Sequence, residues 1–180
     1  MIELQKNPIS LDYQWCGVNQ LKERAPLWLH NRLVEQGSLT ALLKSQCEHF
    51  KVQVLEEKLI TPPENIAKLL GTGVNKSLCR EVLLLCDDAP HVYAQSWITD
   101  EANELGLSNV GNKPLGERLF QESDWSRGEL EVCHIQCAKS QEQLSELFCS
   151  PSEPFFARRS IFTNQNAKVL VCEIFNNGIE

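Results

Sequence analysis

The chain has no apolar run approaching the roughly 20 residues that span a bilayer. Its start, MIELQKNPISLDYQW, has no basic stretch leading into an apolar core. No membrane span and no secretory leader are therefore expected, and a cytoplasmic protein is. Positive charge is scarce as well. Seventeen Lys and Arg stand against 24 Asp and Glu, a net charge of −7. That balance argues against a nucleic-acid binder, which needs a basic face. Metal and redox motifs are missing. The eight cysteines, at 16, 47, 79, 86, 133, 137, 149 and 172, form no C-x-x-C pair. The histidines His30, His49, His91 and His134 share no ligand spacing, and no H-E-x-x-H occurs. The cysteines read as buried, reduced thiols, and no metal site is expected. GTGVNKS (71–77) lacks the spacing of a phosphate loop, and there is no G-x-S-x-G elbow for a hydrolase.

What remains is an ordinary globular composition, 42% hydrophobic and 23% charged over 180 residues. One domain over 1–180 is expected, with 1–25 as an N-terminal arm. A helical pattern starts after Pro26 and breaks at Gly37. Ser38 can cap a second helix carrying Leu39, Leu42, Leu43 and Phe50. KVQVLEEKLI (51–60) reads as a strand, and PENIAKLL as a short helix closed by Gly71. Strands over 78–86 and 91–99 flank the turn DDAP. Helical patterns follow between 100 and 121, then a strand over 128–138. Ser140, with Gln143 at the capping-box position, opens a helix to 148. FFARRSIFT and KVLVCEIF close the chain as a hairpin about NQNA, after the linker CSPSEP. The class is α+β, an antiparallel sheet of about six strands with short helices between them.

Charges inside the strands are the unusual feature. In SLCREVLLLCDD (77–88), alternation puts Arg80 with Leu78, Val82, Leu84 and Cys86. Glu81 faces the other way, with Cys79, Leu83 and Leu85, and is expected to find a structural partner or the sheet's outer face. In KVLVCEIF, Glu173 shares a face with Val169, Val171 and Phe175. A buried charge costs several kcal/mol unless paired. Arg80 and Glu173 could pair across the sheet, or both could project into a ligand cavity. Arg158 and Arg159 are adjacent in a strand and face opposite ways, so at least one is expected in solvent.

The segments REVLLLCDDAPHVYAQSWI, GNKPLGERLF, ARRSIF and KVLVCEIF resemble, in order and spacing, those of chorismate pyruvate-lyases. The resemblance covers about residues 26 to 176. It implies a lyase that converts chorismate to 4-hydroxybenzoate and pyruvate for ubiquinone synthesis, without a cofactor and as a monomer. It also implies an antiparallel sheet whose ligand cavity is shut by helical flaps. By position, Arg80 would hold the ligand carboxylate and Glu173 its ring hydroxyl. Backbone amides of Leu39 and Leu115 would complete the binding. Gln95 and Ser96 stand where a family member has Gly-Arg, and residues 140–153 look inserted. The alternative is a small-molecule-binding domain without turnover, similar to the effector domains of some bacterial transcription regulators. Those carry a DNA-binding module ahead of the domain.

Overall fold

Hairpins build the sheet. Its strands are β1 (Cys16–Gly17), β2 (Phe50–Ile60), β3 (Ser77–Cys86), β4 (Ala89–Ile98), β5 (Ser126–Arg127), β6 (Glu131–Ile135), β7 (Phe155–Asn164) and β8 (Ala167–Phe175). The computed structural model describes residues 7–21, 25–71, 73, 75–107, 110–150 and 154–176. Within them the strand order is β1-β6-β7-β8-β4-β3-β2, with β5 beside β7, and all these pairs are antiparallel. The six longer strands are the expected ones. β1 and β5, two residues each, are too short to show an alternation and add to the count. Asp87 (φ 50°) and Asp88 (φ 64°) form the two-residue turn between β3 and β4, the backbone that suits strand twist. The Asp87 carboxylate accepts the His49 N–H at 2.8 Å, which secures the start of β2 at the same end.

Short helices are threaded between the strands: α1 (Val18–Leu21), α2 (Leu27–Val34), α3 (Leu39–Lys44), α4 (Glu64–Leu70), α5 (Asp100–Ala102), α6 (Leu115–Gln121) and α7 (Ala138–Phe148). A π-helical turn, Asn103–Leu107, follows α5. Ser38 caps α3 as expected, its hydroxyl accepting the Ala41 N–H at 3.3 Å. Phe50 does not belong to that helix. Ser45 closes it by donating its N–H to Ala41 O and Leu42 O, and Phe50 opens β2. Nor does Ser140 cap α7. Cys137 stands at the cap, and Ser140 is buried within the first turn. The strand expected over 128–138 is confined to Glu131–Ile135. Parts of the expected arm (1–6 and 22–24), of GTGVNKS (72 and 74) and of the linker (151–153) lie outside the described residues.

The sheet is covered on both faces. On one, Cys79, Leu83, Tyr93, Trp97, Leu170 and Ile174 pack against the arm, α4 and α7. α7 covers much of the segment expected to be inserted (140–153), and Leu144 and Phe148 seat it there. On the other, α2 and α3 cover Val82, Leu84, Val92 and Phe175. Beside them α5 to α6 cover Ile98, Phe162 and Val169. The gap between these two helical groups is where the charged residues converge.

Candidate active site

Arg80 sits mid-strand on the face below α3 and α6 and is 2% exposed. Its Nη2 donates to Gly111 O at 2.6 Å and Lys113 O at 3.4 Å, in the segment that leads into α6. Its Nη1 lies 3.0 Å from Glu57 Oε1. That contact is an ion pair by distance but has no hydrogen-bond alignment, and Nη1 is a buried donor without a hydrogen-bonding acceptor among the described residues. An unsatisfied, charged donor in the interior is costly. It suits a carboxylate, which the planar guanidinium can grip with two parallel bonds.

Glu57 is a site residue that alternation along the strand does not reveal. In β2 the register shifts between Val54 and Glu56, so Leu55 is an extra residue, a bulge. Without it, Glu56 would follow Val52 and Val54 onto the Arg80 face. With it, Glu57 lies directly opposite Arg80 and Glu56 opposite Glu81. The two adjacent glutamates of VLEEK, breaking a regular alternation, were the available signal.

Glu173 is not the partner of Arg80. Arg158 lies directly opposite it on β7, and Arg158 Nε donates to Glu173 Oε2 at 2.5 Å. Arg158 is 1% and Arg159 9% exposed, so the expectation that one of them faces solvent is corrected. Arg159 takes the opposite face, paired to Glu131 at 2.7 Å with its guanidinium over the Trp15 ring. Each has a local carboxylate, which offsets the cost of burial.

Arg80 and Glu173 nevertheless line one small, partly open cavity, with Thr40, Val52, Val82, Leu84, Ala94, Ser96, Lys113, Pro114, Leu115, Gly116 and Val171. Arg80 pairs across to Ser96, and Ser96 to Val171, two residues from Glu173 on β8. By strand spacing and rise, the two backbones are therefore roughly 12 Å apart, with a mostly aliphatic floor between them. The cavity holds about 30 Å³, so a ring-sized ligand needs the roof to shift. That roof is the start of α3 and α6. Leu115, first residue of α6, lines the cavity. Leu39, first residue of α3, buries its side chain in the core, while its neighbour Thr40 lines the cavity. The first N–H groups of any helix have no partner within it. An exposed ion pair, Lys44 to Glu117 at 2.5 Å, joins the two flaps at the surface.

The sequence departures are divided between the faces. Ser96 lines the cavity beside Arg80. Gln95 points away and bonds to Ile9 O, to the Tyr93 hydroxyl and to Trp97 Nε1. Glu81 is also on that far face, bonded to the Tyr93 hydroxyl. Burial pushes its carboxyl above the usual range, partly offset by that bond. A larger hollow of about 640 Å³ lies between the arm and α4 on the far face, but no buried charges converge in it. All eight cysteines are free. Cys79, Cys86, Cys133 and Cys172 are buried, whereas Cys137 and Cys149 are exposed at the ends of α7. Among the described residues no three His, Cys, Asp or Glu cluster as a metal site. No helix there is long and apolar enough to cross a membrane.

Comparison with known proteins bears on the family and the fold. The sequence profile of the family described as Chorismate lyase matches residues 11–178. A probable chorismate pyruvate-lyase of Pseudoalteromonas translucida is 38% identical, covering 95% of this chain and 96% of that protein. One of Idiomarina loihiensis is 33% identical over 93% and 87%. Among solved structures, the C-terminal domain of the histidine utilization repressor from Pseudomonas syringae has a TM-score of 0.62 at 13% identity, covering 73% of this chain and 94% of that one. The effector domain of PhnF from Mycobacterium smegmatis has 0.61 at 15%, covering 81% and 92%. The regulators share the fold, the relatives share the sequence along nearly its whole length, and the chain belongs to the chorismate lyase family.

Proposed function

We propose that this protein is a chorismate pyruvate-lyase, a cytoplasmic enzyme that supplies 4-hydroxybenzoate for ubiquinone synthesis. The observation that supports this reading most is Arg80, buried with an unsatisfied Nη1 in a cavity that Glu173 also lines. Chorismate has a ring carboxylate, a C4 hydroxyl and hydrogen, and an enolpyruvyl ether at C3. The ether C–O bond breaks, and the C4 hydrogen passes to the enolpyruvyl methylene. The ring becomes aromatic 4-hydroxybenzoate and the side chain leaves as pyruvate. Aromatisation drives the step, so it needs neither metal nor organic cofactor. Arg80 grips the ring carboxylate, and the amides of Leu39 and Leu115 approach it from the flaps. Glu173 accepts the C4 hydroxyl proton in a hydrogen bond and orients the ring. The protein's contribution is a reactive conformer held out of water.

Glu57 and the two carbonyl acceptors hold the guanidinium in place. A carboxylate entering the cavity supplies the acceptor that Nη1 lacks. Because α3 and α6 close over the site, product release is slow and 4-hydroxybenzoate inhibits. Purified protein with chorismate and EDTA should release 4-hydroxybenzoate and pyruvate in equal amounts. A thermal shift with 4-hydroxybenzoate but no turnover of chorismate would refute the lyase and leave a binding protein.

A further inference from the structure

Arg158 has no part in the chemistry above, yet it is among the most deeply buried side chains of the cavity face. Two of its three guanidinium nitrogens link separate parts of the fold. Nε donates to Glu173 Oε2, and Nη1 donates to Arg32 O at 2.8 Å and Glu35 O at 2.9 Å. Those two carbonyls lie at the C-terminal end of α2 and in the turn to α3, where helix acceptors have no partner of their own. One side chain thus connects the carboxylate of the site to the base of a flap. Arg80, beside Glu57, reaches the backbone that leads into the other flap, at Gly111 and Lys113.

Neutralising a carboxylate does not require this arrangement, nor does mooring the turn. Arg127 already donates to Glu35 O and Gln36 O, with its Nε on the Ser160 hydroxyl. The Glu35 carboxylate accepts the Gly37 N–H at 2.6 Å and braces the turn from within. What Arg158 adds is a link. We propose that Arg158 is a positioning residue, setting the Glu173 carboxylate through Nε and tying its orientation to the α2–α3 turn through Nη1. The proposal rests on the lyase reading, in which Glu173 meets the C4 hydroxyl. Pinning Oε2 leaves Oε1 for that hydroxyl, and the α3 flap closes on a carboxylate already aimed.

The test uses the full chain with Arg158→Lys and Arg158→Met, each alone and combined with Glu173→Gln. Melting curves report the fold, and steady-state assays with chorismate report kcat and KM. Arg158→Lys keeps the charge and stem but loses the fork. It should stay folded and lower kcat by about 100-fold, the effect of a misplaced reacting group, while KM changes far less. In the Glu173→Gln background the same changes should cost little more, since a residue that acts through another has no further effect once that one is gone. An unchanged kcat in folded Arg158→Lys would overturn the proposal, as would losses that multiply in the double variants. Unfolding of Arg158→Lys would make the residue a structural brace and overturn it too. Wild-type protein without turnover would refute the lyase reading itself. Normal wild-type turnover with multiplying losses would refute only the role of Arg158.

Discussion

The two faces of the sheet treat their buried polar groups differently. On the face toward the arm and α7, Glu81, Tyr93, Gln95 and Trp97 satisfy one another across two adjacent strands. Gln95 Nε2 reaches on to Ile9 O, so the arm is drawn into the same network at 3.0 Å. On the face toward the flaps, Arg80 and Arg158 bond outward to the backbone of the segment before α6 and of the end of α2, and Arg80 keeps an unsatisfied donor. A closed network rigidifies a core. An open one, with directed donors over an apolar floor, has the form of a ligand site. In the proposed reading one sheet carries a structural face and a binding face, and adjacent residues such as Arg80 and Glu81 serve different ends.

Substitutions can break this contrast. The largest effect should come from Arg80→Ala, expected to lower kcat/KM for chorismate by about 100- to 1,000-fold while a cooperative melt persists. Equal loss of turnover and fold would erase the distinction between the faces. Tyr93→Phe comes next and should do the reverse. It removes the hydroxyl that both Glu81 and Gln95 use, at about 1–3 kcal/mol of stability by denaturant titration, with turnover retained by the folded protein.

Glu81→Gln is milder, because the amide oxygen still accepts from Tyr93. Here the sign of the pH dependence matters. Burial raises the Glu81 carboxyl in the folded chain. Its contribution to stability is full below the unfolded carboxyl pKa and is lost as pH rises through the raised folded value. The melting temperature of wild type minus that of Glu81→Gln should therefore fall as pH rises from about 4 towards 7. A difference that rises instead would mean that the carboxylate is stabilised in its charged form. The smallest effect should be Leu39→Met. The side chain is core and only its N–H is proposed to meet the ligand, so stability should change by less than about 1.5 kcal/mol. Turnover should stay close to wild type in the same assay.

Much of this was legible in local patterns. Alternation within SLCREVLLLCDD and KVLVCEIF assigned Arg80, Glu81 and Glu173 to faces that the structure shares. Pro26, Gly37 and Ser38 marked the helical hairpin of the first flap. Failures came where a partner lies far along the chain. One of Arg158 and Arg159 is expected in solvent because nothing near them announces Glu173, Glu131 or the Glu35 carbonyl, 123 residues before Arg158. Ser140 had the right neighbour for a capping box, but burial of its side chain and the earlier cap at Cys137 outweighed that signal.

The sequence by itself determined the fold class, the faces of β3 and β8 and the family, because pleat, turn chemistry and motif order are properties of contiguous residues. The tertiary structure alone decided the pairing. It matched Arg80 with Glu57 through a one-residue bulge, and Glu173 with Arg158 through the register of the last hairpin. It also brought the starts of α3 and α6 together over the cavity between. Register and closure depend on how distant segments share one core, and one extra residue in a strand reverses every side chain beyond it.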